Sequence, residues 1–241
     1  MAGLAAAARL RELGAALRLL EKGDRPGGSM LLSSGFVWRY RSFELFREQC
    51  PDGDERLQRV VHERLDDALA WLERLGAPVL ARETANPLTA GWRFDTARMT
   101  EALVRAAGGV ELGASPGERD GPLILATGGF QGDRELVRRY VAPAGRLPVR
   151  ANPWSSGDGL RLATARGAVV VGPLDEFFGR AMPAVETIPP EQFVAAAQLY
   201  GRHALVVDLD GEPIALIPSW SELDLVQAIA HPPGGRAGYV L

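Results

Sequence analysis

Cysteine is almost missing from this sequence. Cys50 is the single one in 241 residues, which excludes an internal disulfide and fits a reducing compartment. Long apolar runs are missing too: nothing approaches the about 18 residues that a membrane-spanning helix needs. The alanine-rich start is interrupted by Arg9, Arg11 and Glu12, which excludes a secretory signal. Neither sign of charge dominates. With 27 basic and 30 acidic residues the net charge is −3, which argues against nucleic acid or an anionic membrane surface as partner. No two of the histidines His62, His203 and His231 sit at ligand spacing on one helix, and Cys50 has no companion, so no metal is expected. What is present is ordinary for a globular protein, with 46% apolar and 24% charged residues. The expectation is a cytoplasmic protein that acts on a small molecule and has a core of useful size.

The chain divides by pattern. Residues 4–14 read as a short helix stopped by Gly14, and "ALRLLE" as a strand ending in Glu21. The loop "KGDRPGGSMLLSSG" holds four glycines and a proline, which forbid long regular structure. From Asp54 to Leu75, Leu57, Val60, Val61, Leu65, Ala68, Leu69, Leu72 and Leu75 step by threes and fours. That is the stripe of an amphipathic helix, capped by Asp54 and stopped by Gly76. "RFDTARMTEALVRAAGG" predicts another helix, "GVELG" a short strand, "GPLILATGGF" an apolar strand ending in a glycine pair, and "DRELVRRYV" and "SSGDGLRLATARGA" helices. Beyond about residue 170 the pattern changes. "HALVVDLDGEPIALI" places apolar runs either side of Asp210-Gly211, a hairpin signal, and "SWSELDLVQAIA" reads as a helix capped by Ser219 or Ser221. The expected fold is α/β: residues 1–170 carry parallel strands, with a helical insertion at about 41–107, and residues 171–241 form a smaller α+β unit.

Four stretches can carry chemistry. A dinucleotide site needs a strand, a tight glycine turn, a helix, and a second strand ending in an acid that binds the adenosine ribose. Gly3 fits the third glycine of G-x-G-x-x-G, and Glu21 lies at suitable spacing; the same residues also read as a plain surface helix followed by a solvated Glu-Lys pair. Gly27 and Gly28 expose backbone N–H groups that can cradle an anion beside the Ser29 hydroxyl, or simply make a turn. "LILATGGF" lets a flat or charged group approach bare backbone, or turns a strand into a helix. Asp158 in "SSGDGL" is a cofactor neighbour or only an N-cap. His62 reads as solvated and His231 as loop, whereas Arg202 and His203 could hold a carboxylate or ketone oxygen if they sat in a cleft.

Taken in order, "MAGLAAAA", "LLEKGDRPGGSMLLSSGFVW", "LILATGGF" and "SSGDGLRLATARGA" resemble the FAD-binding flavoproteins of the fumarate reductase and 3-oxosteroid dehydrogenase family, strongly to residue 170 and loosely beyond. The resemblance implies a Rossmann-like FAD-binding domain, here without its first strand, and an incomplete cap domain. It implies Gly3 at the pyrophosphate, Glu21 and Lys22 at the ribose, and Gly27, Gly28 and Ser29 along the phosphates. Ser33 and Gly35 would face the flavin, Ala126, Thr127 and Gly128 would line the adenosine half, and Asp158 would stand near the cofactor. Trp38 matches a tryptophan of the steroid-dehydrogenase branch, although Ser34 replaces the usual glycine. The implied activity is hydride transfer between flavin and an activated carbon–carbon bond, with the redox partner unspecified. In the fumarate-reducing branch a cap arginine delivers the proton. Here Leu223 precedes Asp224 at the matching place, and a leucine has no proton to donate.

The family pattern also puts an apolar strand and Gly-x-Gly just before "MAGL", so the expectation is a start assigned too late and a second end that comes too early. An in-frame Gly-x-Gly upstream would support this, and a stop codon there would refute it. Losing about five buried apolar side chains, at roughly 1.5–3 kcal/mol each, costs on the order of 10 kcal/mol, which rivals the roughly 5–15 kcal/mol of net stability of a domain. The alternatives are a non-catalytic remnant, a subunit that needs a complementing chain, and a plain NAD-binding protein, in which Glu21 would favour NAD over NADP. The expected outcome for the chain as written is a preparation with well under one flavin per chain; visible absorbance giving stoichiometric FAD would refute the marginal-stability expectation.

Overall fold

The computed structural model describes residues 1–115, 121–141, 147–214, 222–230 and 234–241. It separates into two units, Met1–Ile124 and Leu125–Leu241, each treated by itself below. The boundary drawn from sequence pattern, at residue 170, falls inside the second unit.

In the first unit, helix α1 (Ala2–Glu12) packs on helix α4 (Thr96–Ala107). Alanine permits this close contact: Ala8 is buried in a core that includes Leu4, Met99, Ala102 and Leu103. Asp95 caps α4 by accepting from the Arg98 N–H, and Gly108 closes it with φ 77°. Strand β1 (Phe36–Tyr40), helix α2 (Phe43–Gln49), helix α3 (Glu55–Arg74), strand β2 (Val79–Ala81) and strand β3 (Thr89–Phe94) complete the unit. The three strands form an antiparallel sheet in the order β1-β3-β2. The sequence pattern missed this sheet, because its strands are short and lie inside a segment dominated by helical periodicity. Asp54 caps α3 as expected, accepting from the N–H groups of Arg56 and Leu57.

Only half of the α3 stripe is used as the spacing predicts. Leu65, Leu69 and Leu72 are buried, but Leu57, Val60 and Val61 are exposed. Gln58 is buried instead, because the Cys50–Gly53 turn wraps it: its amide donates to the Cys50 carbonyl at 2.8 Å and accepts from Arg47 at 2.7 Å. Burying a polar amide is tolerable once both of its ends are bonded.

Among the described residues the parallel pairing shrinks to one contact. Leu20 bridges Glu111 in parallel, with Glu21 N–H to Glu111 O at 2.8 Å and Glu111 N–H to Leu19 O at 2.9 Å. The predicted strand at 122–126 lies outside any helix or ladder among the described residues. Leu123, Ile124 and Leu125 are exposed, and among the described residues no backbone hydrogen bond reaches them. A parallel strand is stable when neighbours cover its edges and faces, and among the described residues none pairs with it.

The second unit holds a short helical turn, α5 (Arg134–Leu136), continued by a wider turn to Val141, then α6 (Asp158–Ala165), β4 (Leu205–Val207), α7 (Leu223–Ala230) and β5 (Gly238–Val240). The hairpin expected at Asp210-Gly211 turns back as a single bridge, Val207 to Pro213, while β4 pairs antiparallel with the distant β5. Val206, Leu225, Val226, Ala230 and Phe193 make its core. Ser219 and Ser221, the expected caps of α7, and His231 lie outside the described residues. Another apolar run, Val169–Val171, lies outside helix and strand; Val169 is 84% and Val171 91% exposed. Among the described residues no helix is long and apolar enough to cross a membrane.

Burial separates two leucines that the pattern treats alike. Leu103→Ala, at a fully buried site, should destabilise the first unit by about 2–5 kcal/mol. Leu57→Ala, 67% exposed, should stay within about 0.5 kcal/mol. Urea unfolding followed by far-ultraviolet dichroism measures both.

Candidate functional site

The dinucleotide-like features of the first unit are held by the α1–α4 core. Leu19 packs against that core, which fixes where its strand ends and so where Glu21 stands. The Glu21 Oε1 accepts from the Gly23 N–H at 2.8 Å, closing a turn. Its carboxylate attracts the amine of Met1 at the start of α1, an amine whose pKa burial lowers and Glu21 raises in part. Gly3 is in the first turn of α1. The N-terminus of a helix beside the acid that ends the next strand is the arrangement that a pyrophosphate and ribose require.

The glycine loop follows as a 3₁₀ turn, Gly28–Leu32. Gly27 packs beneath it, since a Cβ there would lie 3.1 Å from Thr100 Cγ2 of α4. The Ser33 hydroxyl donates to the Met30 carbonyl at 2.8 Å and accepts from the Gly35 N–H at 3.2 Å. Gly35 has φ 80°, and a Cβ on it would overlap the Phe94 carbonyl oxygen. Glycine is therefore required, because backbone conformation and β3 both exclude a side chain. Thus Gly3, Glu21, Gly27, Gly28, Ser33 and Gly35 belong to one unit and one chain path, with Lys22 and Ser29 between them.

The other predicted residues lie in the second unit, where the structure joins two motifs that the sequence separates. The Gly157 N–H donates to Gly129 O at 3.1 Å and the Gly132 N–H to Ser155 O at 2.8 Å. A Cβ on Gly128 would sit 2.8 Å from Ser155 Oγ, and one on Gly159 would overlap the Thr127 hydroxyl. So "ATGGF" docks on "SSGDGL", with Ala126, Thr127 and Gly128 on one side and Asp158 on the other. Asp158 is not the N-cap of α6; Gly157 is. Its carboxylate accepts from Arg161 at 2.7 Å, and Asp133 shares that guanidinium. Backbone N–H bonds from Leu136 and Glu135, together with Arg161, hold the Asp133 carboxyl below the usual range.

The catalytic candidates gain little. His203 is exposed on a short turn, Gly201–His203, and the side chain of Arg202 lies outside the description. His62 is half-buried against Phe43, with ring centroids 5.8 Å apart, rather than solvated. Among the described residues no three His, Cys, Asp or Glu side chains cluster as a metal would need.

A cluster that the sequence did not flag lies at the start of α7. Glu222 is 4% exposed and carries φ 52°, a strained conformation for a residue with a Cβ. Its Oε2 and the Tyr239 hydroxyl lie 3.6 and 3.5 Å from the point that a Cβ on Gly201 would occupy. Burial pulls the Arg180 pKa down, the neighbouring Arg150 adds to this, and Glu222 opposes it. Burial, with Glu222 and Tyr200 nearby, pushes Tyr239 up to about 12. These residues are scattered over some ninety positions, and no spacing in the sequence announces them.

Two measurements check these features. Gly35→Ala should destabilise by about 1–3 kcal/mol from backbone strain and overlap, whereas Gly14→Ala, equally left-handed but in open space, should cost less; thermal unfolding ranks them. Tyr239 should be the last tyrosine to ionise in an absorbance titration, and Tyr239→Phe should remove the step near 12. The sign follows from linkage: a phenol raised in the folded state contributes stability below its ordinary value of 10, and loses it as pH rises from 10 to about 12.

Comparison with known proteins fits this geometry. A family model described as an NAD(P)-binding Rossmann-like domain matches residues 1–33. No curated protein matches the chain. Among solved structures, the open conformation of a flavocytochrome c3 fumarate reductase is similar, with 19% sequence identity and a TM-score of 0.60. That similarity covers 98% of this chain and 49% of the other, so the chain spans about half the length of that protein. The fold is α/β, of the Rossmann-like dinucleotide-binding type.

Proposed function

We propose that this chain is the FAD-binding part of an oxidoreductase that moves hydride between flavin and an activated carbon–carbon bond beside a ketone or carboxylate. The observation that carries the reading is Glu21: it follows a parallel bridge from Leu20 to Glu111, its carboxylate acts on the amine at the start of α1, and one of its oxygens is engaged by Gly23. Its other oxygen takes no hydrogen bond among the described residues, so it is free to accept from a ribose hydroxyl. The residues fit the cofactor in kind. Gly3 and the helix N-terminus suit the pyrophosphate, and Gly27, Gly28 and Ser29 present backbone and hydroxyl donors to the phosphates. Ser33 and Gly35, locked against β3, give the rigid turn that a flavin edge requires. When bound, the flavin supplies hydride chemistry, while the protein orients it and excludes water. The fumarate-reducing kind of proton donor has no counterpart at Leu223, so the acid must come from elsewhere.

A second reading, a fragment completed by another chain, is favoured by the apolar run Leu123–Leu125, which is exposed and unladdered. Flavin absorbance of the chain purified alone and together with neighbouring gene products separates the two.

Calorimetry tests the cofactor. FAD should bind more tightly than NAD. Glu21→Ala should weaken FAD by about 10–100-fold, the worth of a hydrogen bond to a charged group. Glu12→Ala, on an exposed helix end, should change nothing. Tighter binding of NAD than of FAD would overturn the reading.

A further inference from the structure

The antiparallel sheet of the first unit has a face that the cofactor reading does not use. Residues alternate across it. Val37, Trp92 and Phe94 join the core built on α3, and Arg39 reaches Asp66 of α3 at 2.9 Å. Phe36, Trp38 and Tyr40 therefore share the opposite face, where they stand across from Arg93, Gly91 and Thr89. Tyr40 is covered from the far side by Phe46 of α2, with centroids 5.4 Å apart. It meets the Trp38 indole edge-on at 5.4 Å and 82°. Among the described residues no ring covers Trp38 in this way, and it is 43% exposed.

Gly91 shapes this face. A Cβ there would lie 2.6 Å from Trp38 Cα and 2.7 Å from Trp38 Cβ, so the base of Trp38 lies over the neighbouring strand and no cross-strand side chain is tolerated beside it. At the Phe36 end, Arg93 spans the pair. Its Nε donates to the Ser34 carbonyl at 3.1 Å, and its guanidinium carbon is 5.8 Å from the Phe36 ring centre. Arg93 is exposed, and among the described residues its two Nη groups make no hydrogen bond or ion pair. One side-chain nitrogen thus anchors the guanidinium while the fork faces outward.

The geometry points to a binding platform for a flat apolar ring that carries a carboxylate, with the ring on Trp38 and the carboxylate on the Arg93 fork. Rings stack or meet edge-on with gains beyond their buried area, and a guanidinium pairs with a carboxylate through two parallel bonds. An aliphatic anion would satisfy only Arg93, and a neutral ring only Trp38. The platform lies wholly in the first unit and adjoins the Ser33–Gly35 turn. It goes beyond the cofactor reading and its test requires no flavin.

Calorimetry of the whole chain with naphthoate tests it, with octanoate and naphthalenemethanol as comparators. Naphthoate should bind best, and each comparator about tenfold more weakly, because each loses one of the two contacts. Arg93→Gln, at an exposed position, should weaken naphthoate about tenfold and leave naphthalenemethanol unchanged. Trp38→Phe, which keeps an aromatic ring in the strand, should weaken naphthoate several-fold, and Trp38→Ala more. Circular dichroism confirms that each variant is folded; should Trp38→Ala unfold, the Arg93→Gln and Trp38→Phe results decide. No binding of naphthoate at millimolar concentration overturns the proposal. So does equal binding by wild type and the variants, or a Trp38-dependent dimer in sedimentation, which would make this face a contact between copies.

Discussion

The contact of α1 with α4 is the constraint on which the first unit rests. It depends on small side chains: Ala8 of α1 and Ala102 of α4 are buried in the core that Leu4, Met99 and Leu103 complete. A larger residue at either alanine would push α1 outward, and Leu19 packs against the same core. Arg11 ties the arrangement at its other end, reaching the Ala107 carbonyl at 3.3 Å and the Leu17 carbonyl at 3.2 Å. The position of Glu21 relative to the helix start is thus decided by alanines that bind nothing themselves. Even the glycine loop inherits this frame, because Gly27 leans on Thr100 of α4.

The two units use polar groups differently. In the first, Arg39 is drawn inward at 15% side-chain exposure and pairs with the exposed Asp66, while backbone bonds shape the glycine turns. In the second, Glu222 and Arg180 are drawn inward near Arg150, Tyr200 and Tyr239. Burying charge is costly unless partners are close, and Glu222 also bears backbone strain. Such groups hold one arrangement of the segments that meet at α7, where small losses of geometry would leave a charge in poor company. Arg150 adds a tie of a milder kind, donating through Nε and Nη2 to the Phe193 carbonyl at 3.2 and 2.9 Å.

The legible parts of the fold are those written in local chemistry. Helices α3 and α4 announce themselves through period and cap, because Asp54, Asp95, Gly76 and Gly108 act within a few residues of where they stand. The Thr-Gly-Gly and Gly-Asp-Gly turns could be seen as separate signals, but their union through Gly129, Gly157, Gly132 and Ser155 is a long-range event. Strand β1 was hidden because "FVWRY" puts Val37 and Arg39 together on the core-facing side and the aromatic residues on the other, so its hydrophobic pattern does not mark the buried face. Leu57, Val60 and Val61 mislead for a different reason: the helix stripe is real, but Gln58, clasped by the Cys50 turn, takes the inward place. The Glu222 cluster was unreadable, since nothing local marks a carboxylate that will be buried by a helix start and a far strand.

The valine run at 169–171 has a consequence of its own. Among the described residues no ladder pairs its backbone, its side chains are exposed, and no charge interrupts Ala168–Val171 to repel a like ribbon. An exposed apolar segment without charge offers a template for pairing with another copy. How crowded the molecule is, as much as how well it folds, will therefore govern how long it stays dispersed, and a lysine within the tract would lengthen that time without touching either unit's interior.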